Sequence, residues 1–355
     1  MPRFVADDLR EYLHRLLASE GATPTNAEIV VDHIVDSSLA GHDSHGVLRI
    51  IQYFDEIRDG VIDPQSSPIV VDRSETGCTL EGNRSFGQVA CHEAIRLAVN
   101  YAKDRGLGAV AVRQGNHSGR LGAWVEFAAQ AGVIGIVTGS SGGGGQWVAP
   151  FGGREGRIGT NPVAIGTPGT DEFPMVLDMA TCIAPEGKVR HSFLKGQSVP
   201  DGWLIDASGQ PTNDPSELYA TPRAAILPLG GPAGHKGTGL AVMVELLAGA
   251  LTGAGCARPD VRHNGPAQGV LMVCISIERF RSLDVFRADV KTLVRHLQTC
   301  PPMPGVERVM VPGEMEYRSR LQRNRDGIPV PDDAWRQIRA LGETRNIEPP
   351  AATPE

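Results

Sequence analysis

Aromatic side chains are scarce, at 5% of 355 residues, and lysine is scarcer still, with five against 29 arginines. The six cysteines, at positions 78, 91, 182, 256, 274 and 300, form no CxxC pair, which leaves a disulfide framework unsupported. Free buried thiols in a reducing cytoplasm are the expected state. No apolar run reaches the roughly 18 uncharged residues of a membrane span. The amphipathic start, MPRFVADDLREYLHRLLASEG, lacks the apolar centre of a signal peptide. A basic stripe is absent and the formal net charge is −7, which argues against a nucleic-acid partner. The familiar nucleotide and hydrolase signatures are missing too. The glycine run from Gly139 to Gly145 lacks G-x-G-x-x-G spacing, Lys236 precedes Gly237 where a Walker A loop has the reverse, and Gly139-Ser140-Ser141-Gly142-Gly143 spells G-x-S-x-G without opening the helix a nucleophile elbow needs.

What remains is a globular composition, 41% hydrophobic, with 43 glycines and 26 prolines that follow no period. An acidic protein can still bind anions if its positive groups gather in a cleft. In so lysine-poor a chain, Lys188 and Lys236 stand out, because both sit beside glycines where a compact ammonium suits a tight site better than a guanidinium.

The first 60 residues predict three helices. Leu9, Tyr12, Leu13, Leu16 and Leu17 make one apolar stripe. Thr25 and Glu28 read as a capping box before a helix closed by Gly41, and Ser44 as the cap of a helix closed by Gly60. The second carries Ile29, Val30, Val31, Ile34 and Val35 on more than one face, so either the chain's own core or a second copy must cover it. Apolar runs at 108–115, 132–139, 174–181 and 269–277 read as strands, and ERVMVPG near 307–313 as another. Helices alternate with them at 122–132, 235–253 and 286–300, which argues an α/β architecture. The expected division is a helical lobe over 1–75, joined by C-terminal helices at about 315–347, an α/β region over 76–314, and a disordered tail over 348–355.

Four clusters could carry chemistry. In His42-Asp43-Ser44-His45-Gly46-Val47-Leu48-Arg49, His45 and Arg49 are four apart, and one helix would put them on a common face. A 2-oxo acid needs that pair: arginine grips the carboxylate and histidine protonates the neighbouring carbonyl oxygen. A solvated helix face with a serine cap explains the spacing equally well. His42 and His45 lack a third ligand at metal spacing, so no metal is expected. Gly115-Asn116-His117-Ser118-Gly119-Arg120-Leu121-Gly122 joins a strand to a helix and could offer N–H groups to a phosphate, or simply be a tight turn. Asp178-Met179-Ala180 ends a strand, where an aspartate can hold a ribose or amide. His235 and Lys236 sit at the start of the long helix, another natural phosphate position.

Taken together, DSHGVLR (43–49), HSGRLG (117–122), IGTNP (158–162), LDMAT (177–181), Gly187-Lys188, the 234–254 helix and PGEMEYRSR (312–320) resemble the type 2 malate/L-lactate dehydrogenase family, in order and over nearly the whole chain. The resemblance implies a non-Rossmann, three-layer α/β fold with a mixed sheet and a homodimer using NAD or NADP. It implies His45 as proton donor, Ser44 as its relay, and Arg49, Thr160 and Lys188 on the substrate. His117, Ser118, Gly119, Arg120, Leu121, Asp178, Met179, Ala180, His235, Lys236, Pro312, Gly313 and Glu314 would contact the cofactor. Imine-reducing members carry an Asp and a His after the DMAT strand, where this chain has Lys188 and Glu186, which favours a carbonyl substrate over a cyclic imine. A ketimine reductase and a non-catalytic phosphate-binding or small-molecule-binding protein are the alternatives.

Overall fold

The computed structural model describes residues 1–261 and 267–353. A short strand β1 (Arg3–Phe4) leads into α1 (Ala6–Ser19), whose predicted stripe is fully buried. Helix α2 (Pro24–Leu39) starts two residues earlier than the Thr25/Glu28 box predicts. Thr23 is its cap, accepting from the Asn26 N–H at 3.2 Å, and Pro24 occupies the first turn, where its missing N–H costs nothing. Val30, Val31, Ile34 and Val35 are buried in the chain's own core, so that core covers α2.

Ser44 does not cap the next helix. Asp43–His45 form one 3-10 turn, and α3 (Arg49–Arg58) begins four residues later. A continuous helix would need the Val47 N–H to reach the Asp43 carbonyl; it donates instead to Ser38 Oγ at 3.0 Å. Gly46 permits this approach, since a Cβ there would lie 2.0 Å from Ser38 Oγ.

The centre is a sheet with helices on both faces. Its strands are β2 (Ile69–Arg73), β3 (Gly77–Glu81), β4 (Leu107–Gly115), β5 (Val133–Ser140), β6 (Val163–Thr167) and β7 (Met175–Met179), interleaved with α4 (Gly87–Arg105), α5 (Leu121–Gln130) and α6 (Glu186–Leu194). A smaller unit follows, with β8 (Leu204–Ile205), β9 (Pro211–Thr212) and β10 (Ala225–Ile226) around Val148, Leu204, Leu218 and Ile226. Helix α7 (Gly234–Glu245) runs into a π-helical turn, Leu246–Ala250, before β11 (Gln268–Ser276) returns to the centre of the large sheet. Then come α8 (Leu283–Gln298), α9 (Glu314–Asp326), β12 (Ile328–Pro329) and α10 (Asp332–Glu343).

Among the described residues the large sheet orders β2-β3-β4-β11-β5-β6-β7, with β3–β4 parallel and the other pairs antiparallel. It is therefore mixed and not a Rossmann sheet. Alternation along β11 builds the layers. Val270, Met272 and Cys274 face the core shared with α4 and α5, while Gly269 faces the π turn so closely that a Cβ would meet the Ala248 carbonyl at 1.8 Å. The helical lobe is closed by its distant end: β1 pairs with β12, and Trp335 of α10 packs on Phe4 at 4.0 Å.

The expected strand at ERVMVPG does not form. That segment is mostly exposed, and its backbone tie to the β7 edge is the Val176 N–H to Pro312 O bond at 3.4 Å, too little for a ladder. Residues 348–353 of the expected disordered tail have a defined path, with the Thr353 N–H donating to Arg3 O at 2.8 Å; Pro354 and Glu355 lie outside the described residues. Among the described residues no helix is long and apolar enough to cross a membrane.

Candidate active site

Helical lobe, sheet and small unit meet around a cleft of about 220 Å³. The lobe supplies Ser44, His45 and Arg49; the sheet and its loops supply His117, Ser118, Gly119 and Gln268; the small unit supplies Trp147, Glu186 and Gly187. Thr160 and Asn161 line it too. His45 and Arg49 do converge, though not as neighbours on one helix face. The 3-10 turn folds back on α3, and Arg49 Nε donates to the Ser44 carbonyl at 2.6 Å. Arg49 Nη1 donates to Gln52 Oε1 at 2.5 Å, and Nη2 has no protein acceptor among the described residues. Two of the three guanidinium nitrogens are thus anchored, and Nη2 is left for an anion. Helix α9 holds the turn from behind: Arg323 pairs with Asp43, and His42 Nε2 lies 3.1 Å from Glu316 Oε1.

Ser44 Oγ is 3.0 Å from His45 Nδ1, and the His45 ring stacks on His117 with centroids 5.4 Å apart. Two residues that sequence reasoning missed stand behind His117. Tyr53 OH lies 3.0 Å from His117 Nδ1, and Gln88 Nε2 donates to that same phenol oxygen. With its oxygen accepting from Gln88, Tyr53 turns its own hydrogen to His117 Nδ1, which leaves Nε2–H as the donor of a neutral His117. Tyr53 is one helical turn after Arg49, a spacing that could have drawn attention to it; Gln88 had no comparable signal.

Burial, and next the Arg49 guanidinium, hold the His45 imidazole down at about 3. The same two causes hold His117 well below its ordinary range, with His45 adding to them. Burial pushes the Tyr53 phenol up, so it stays a neutral donor.

The other expected site residues lie elsewhere. The Arg120 side chain is fully buried, pairing with Glu126 and Asp36, and Leu121 belongs to the core beneath α5. The turn before α5 has little left for a phosphate: the N–H groups of Ser118, Arg120 and Gly122 donate to Gln268 Oε1, His33 Nε2 and Asp178 Oδ2. Asp178 thereby caps α5, and burial raises its carboxyl. Met179 follows on β7, and Ala180 packs on the core of the small unit. Lys188 is exposed and outside the cleft. His235 and Lys236 are exposed at the start of α7. The Phe151 ring rests against His235, and Asn161 of the cleft donates to the α7 carbonyl of Ala241 at 3.0 Å. Pro312 and Gly313 dock on β7, and buried Glu314 accepts from Arg308, Arg318 and Gln298.

Compared with known proteins, residues 4–339 match the family model described as malate/L-lactate dehydrogenase. The chain belongs to the malate/L-lactate dehydrogenase family. Hydroxycarboxylate dehydrogenase B of Escherichia coli strain K12 is 35% identical over 343 residues, spanning 95% of this chain and 92% of that one. The crystal structure of malate dehydrogenase from Entamoeba histolytica superposes with a TM-score of 0.90 at 30% identity, over 98% and 99% of the two chains. A more distant neighbour is Δ1-piperideine-2-carboxylate reductase from Pseudomonas syringae pvar. tomato, with a TM-score of 0.80 at 27% identity, over 96% and 100%. As a malate/L-lactate dehydrogenase family member the chain is an oxidoreductase whose family acts on small hydroxy or oxo acids.

Proposed function

We propose that this protein interconverts a small 2-oxo acid and its 2-hydroxy acid with a nicotinamide cofactor. The observation that carries the reading is the convergence of Arg49, anchored at two nitrogens and open at Nη2, with the Ser44–His45 pair in one cleft. Arg49 holds the substrate carboxylate. His45, neutral because its pKa is low, takes the hydroxyl proton during oxidation while Nδ1–H donates to Ser44 Oγ. In reduction the bound anion partly offsets the Arg49 charge, raises the His45 pKa and allows it to deliver the proton to the carbonyl oxygen. His117 Nε2–H, fixed by Tyr53 and Gln88, gives that oxygen a second donor.

The donor set fits the cofactor. Lys236 and His235 are exposed without side-chain hydrogen bonds among the described residues, which suits them to phosphate. Asp178 commits one oxygen to Gly122 and keeps the other for a hydroxyl. When bound, the nicotinamide supplies or accepts the hydride. By the family resemblance the 117–121 loop, Met179, Ala180 and the Pro312-Gly313-Glu314 turn would contact the cofactor too, with the Arg120 and Leu121 side chains themselves buried in the protein. The six unpaired thiols fit a cytoplasmic setting.

The protein is proposed to act as a homodimer. The face that asks for cover is on α7 and its π turn, where Leu240, Val242, Met243, Leu246 and Leu251 are exposed. Light scattering on wild type and Met243→Glu tests this; a fully active wild-type monomer refutes it.

The reaction itself is tested by following nicotinamide absorbance with NADH and NADPH against 2-oxo acids and a cyclic imine. The structural likeness to the piperideine-carboxylate reductase makes the imine the rival. Reduction of the imine alone would replace the oxo-acid reading. Arg49→Lys should raise KM for the oxo acid about tenfold or more, since the planar fork is lost.

A further inference from the structure

The cleft carries a charge pattern that bears on which acid it accepts. Among the described lining residues there is one guanidinium, Arg49, and one carboxylate, Glu186. A 2-oxo acid occupies Arg49 with its own carboxylate. Among the described lining residues no second cation is left for a second acid group on the same molecule; Lys188 is exposed and does not line the cleft.

Glu186 is held in place rather than neutralised. Tyr219 OH donates to its Oε1 at 2.8 Å, and no protein group donates to Oε2 among the described residues. The Tyr219 ring leans on Phe193 at 5.0 Å and on Trp147 at 6.1 Å, and Trp147 itself lines the cleft. Neither Lys188 nor Arg190 forms an ion pair with the carboxylate. The start of α6 also adjoins the reacting pair: a Cβ on Gly187 would stand 3.8 Å from the Ser44 Cβ. That helix start would by itself attract an anion with about half a unit charge. The full negative charge of Glu186 at its first position outweighs it.

We propose that Glu186 is a specificity-determining residue that turns away dicarboxylates and selects 2-oxo acids with a hydrogen-bond donor, such as a hydroxyl, amide or ammonium, at the far end. This rests on the oxo-acid reading above and narrows it. In a small cleft, repulsion between like charges costs about ten- to a hundredfold in affinity after screening by solvent.

The test compares wild type with Glu186→Gln, which keeps the shape and removes the charge. The probes are hydroxypyruvate, 2-oxobutyrate and oxaloacetate, read as kcat/KM with the preferred nicotinamide and as Kd by calorimetry on the same preparations. Wild type should prefer hydroxypyruvate and use oxaloacetate worst. In Glu186→Gln the oxaloacetate to 2-oxobutyrate ratio should rise about ten- to a hundredfold, and the hydroxypyruvate preference should shrink. A wild type that favours oxaloacetate, or a ratio the substitution leaves unmoved, overturns the charge filter. Because Kd needs no turnover, a protein that reduces none of the three refutes the oxo-acid reading, while the binding ratios still decide the filter.

Discussion

Two histidines in this molecule have nearly the same acidity in different surroundings. Burial brings both His33 and His45 down to about 3, and each has an arginine beside it. His33 is stacked on Trp124 at 4.7 Å, and its Nε2 accepts the Arg120 N–H at 2.9 Å. Arg120 in turn belongs to a buried set with Asp36, Glu126 and Arg320, in which two cations meet two carboxylates. At the cleft, Arg49 has no carboxylate partner among the described residues and keeps Nη2 open, and His45 lines the cavity. A depressed imidazole pKa therefore marks burial, and burial alone does not mark chemistry. What separates the two places is whether the donors around the ring are already used by protein.

If that distinction is right, His45→Ala should show the largest effect, lowering kcat by about 10²–10⁴ with the melting temperature nearly kept. Steady-state kinetics and a thermal melt on one sample check it, and an unchanged kcat removes His45 from the reaction. On the other side, Arg120→Met should leave buried Glu126 and part-exposed Asp36 to share Arg320 alone, at a cost of about 1–3 kcal/mol in chemical denaturation. If stability held and cofactor affinity alone fell, Arg120 would be a cofactor residue and the comparison would fail.

Acid should blur the difference. His33 and His45 both have folded pKa values below the ordinary 6.5, so the folded state binds fewer protons than the unfolded chain. Their contribution to stability is complete above pH 6.5 and is lost as pH falls from there toward 3. The melting temperature should drop across that range, and His33→Gln should make the drop shallower. An acid limb of equal slope in both proteins would show that His33 is not a buried neutral imidazole. The smallest expected change is at Tyr53. Tyr53→Phe removes one hydrogen bond to His117, worth about 0.5–1.5 kcal/mol, so kcat/KM should fall roughly two- to tenfold. Its pH profile should shift as well, because the His117 tautomer is no longer fixed; a loss without a shift would assign Tyr53 to packing alone.

How legible all this was in the residues varied with the range of the interaction. The stripe of α1, the strands at 107–115, 133–140 and 268–276 and the α7 helix could be read from periodicity, because each pattern is local. The break at Gly46 could not, since it depends on Ser38 in another helix taking the Val47 N–H. The expected 307–313 strand failed for a related reason: its residues favour strands, but a strand needs a partner edge along its length. Ser44, His45 and Arg49 do line one cleft, but not through the single helix face that their spacing suggested. Gln88 escaped notice because its role exists only where α4 meets α3.

The sequence by itself determined the class of the protein. Short motifs spread from Asp43 to Arg320 occur in the order of the family they resemble, and the family model matches residues 4–339. Tertiary structure alone decided which of those residues share a cavity. It joined Arg49 to the Ser44 carbonyl, sent Arg120 into a buried ion cluster, kept Lys188 outside and set Glu186 against the small unit's tyrosine. Those outcomes depend on contacts between residues far apart in the chain. Their energies come from burial and partner geometry, which no local pattern encodes.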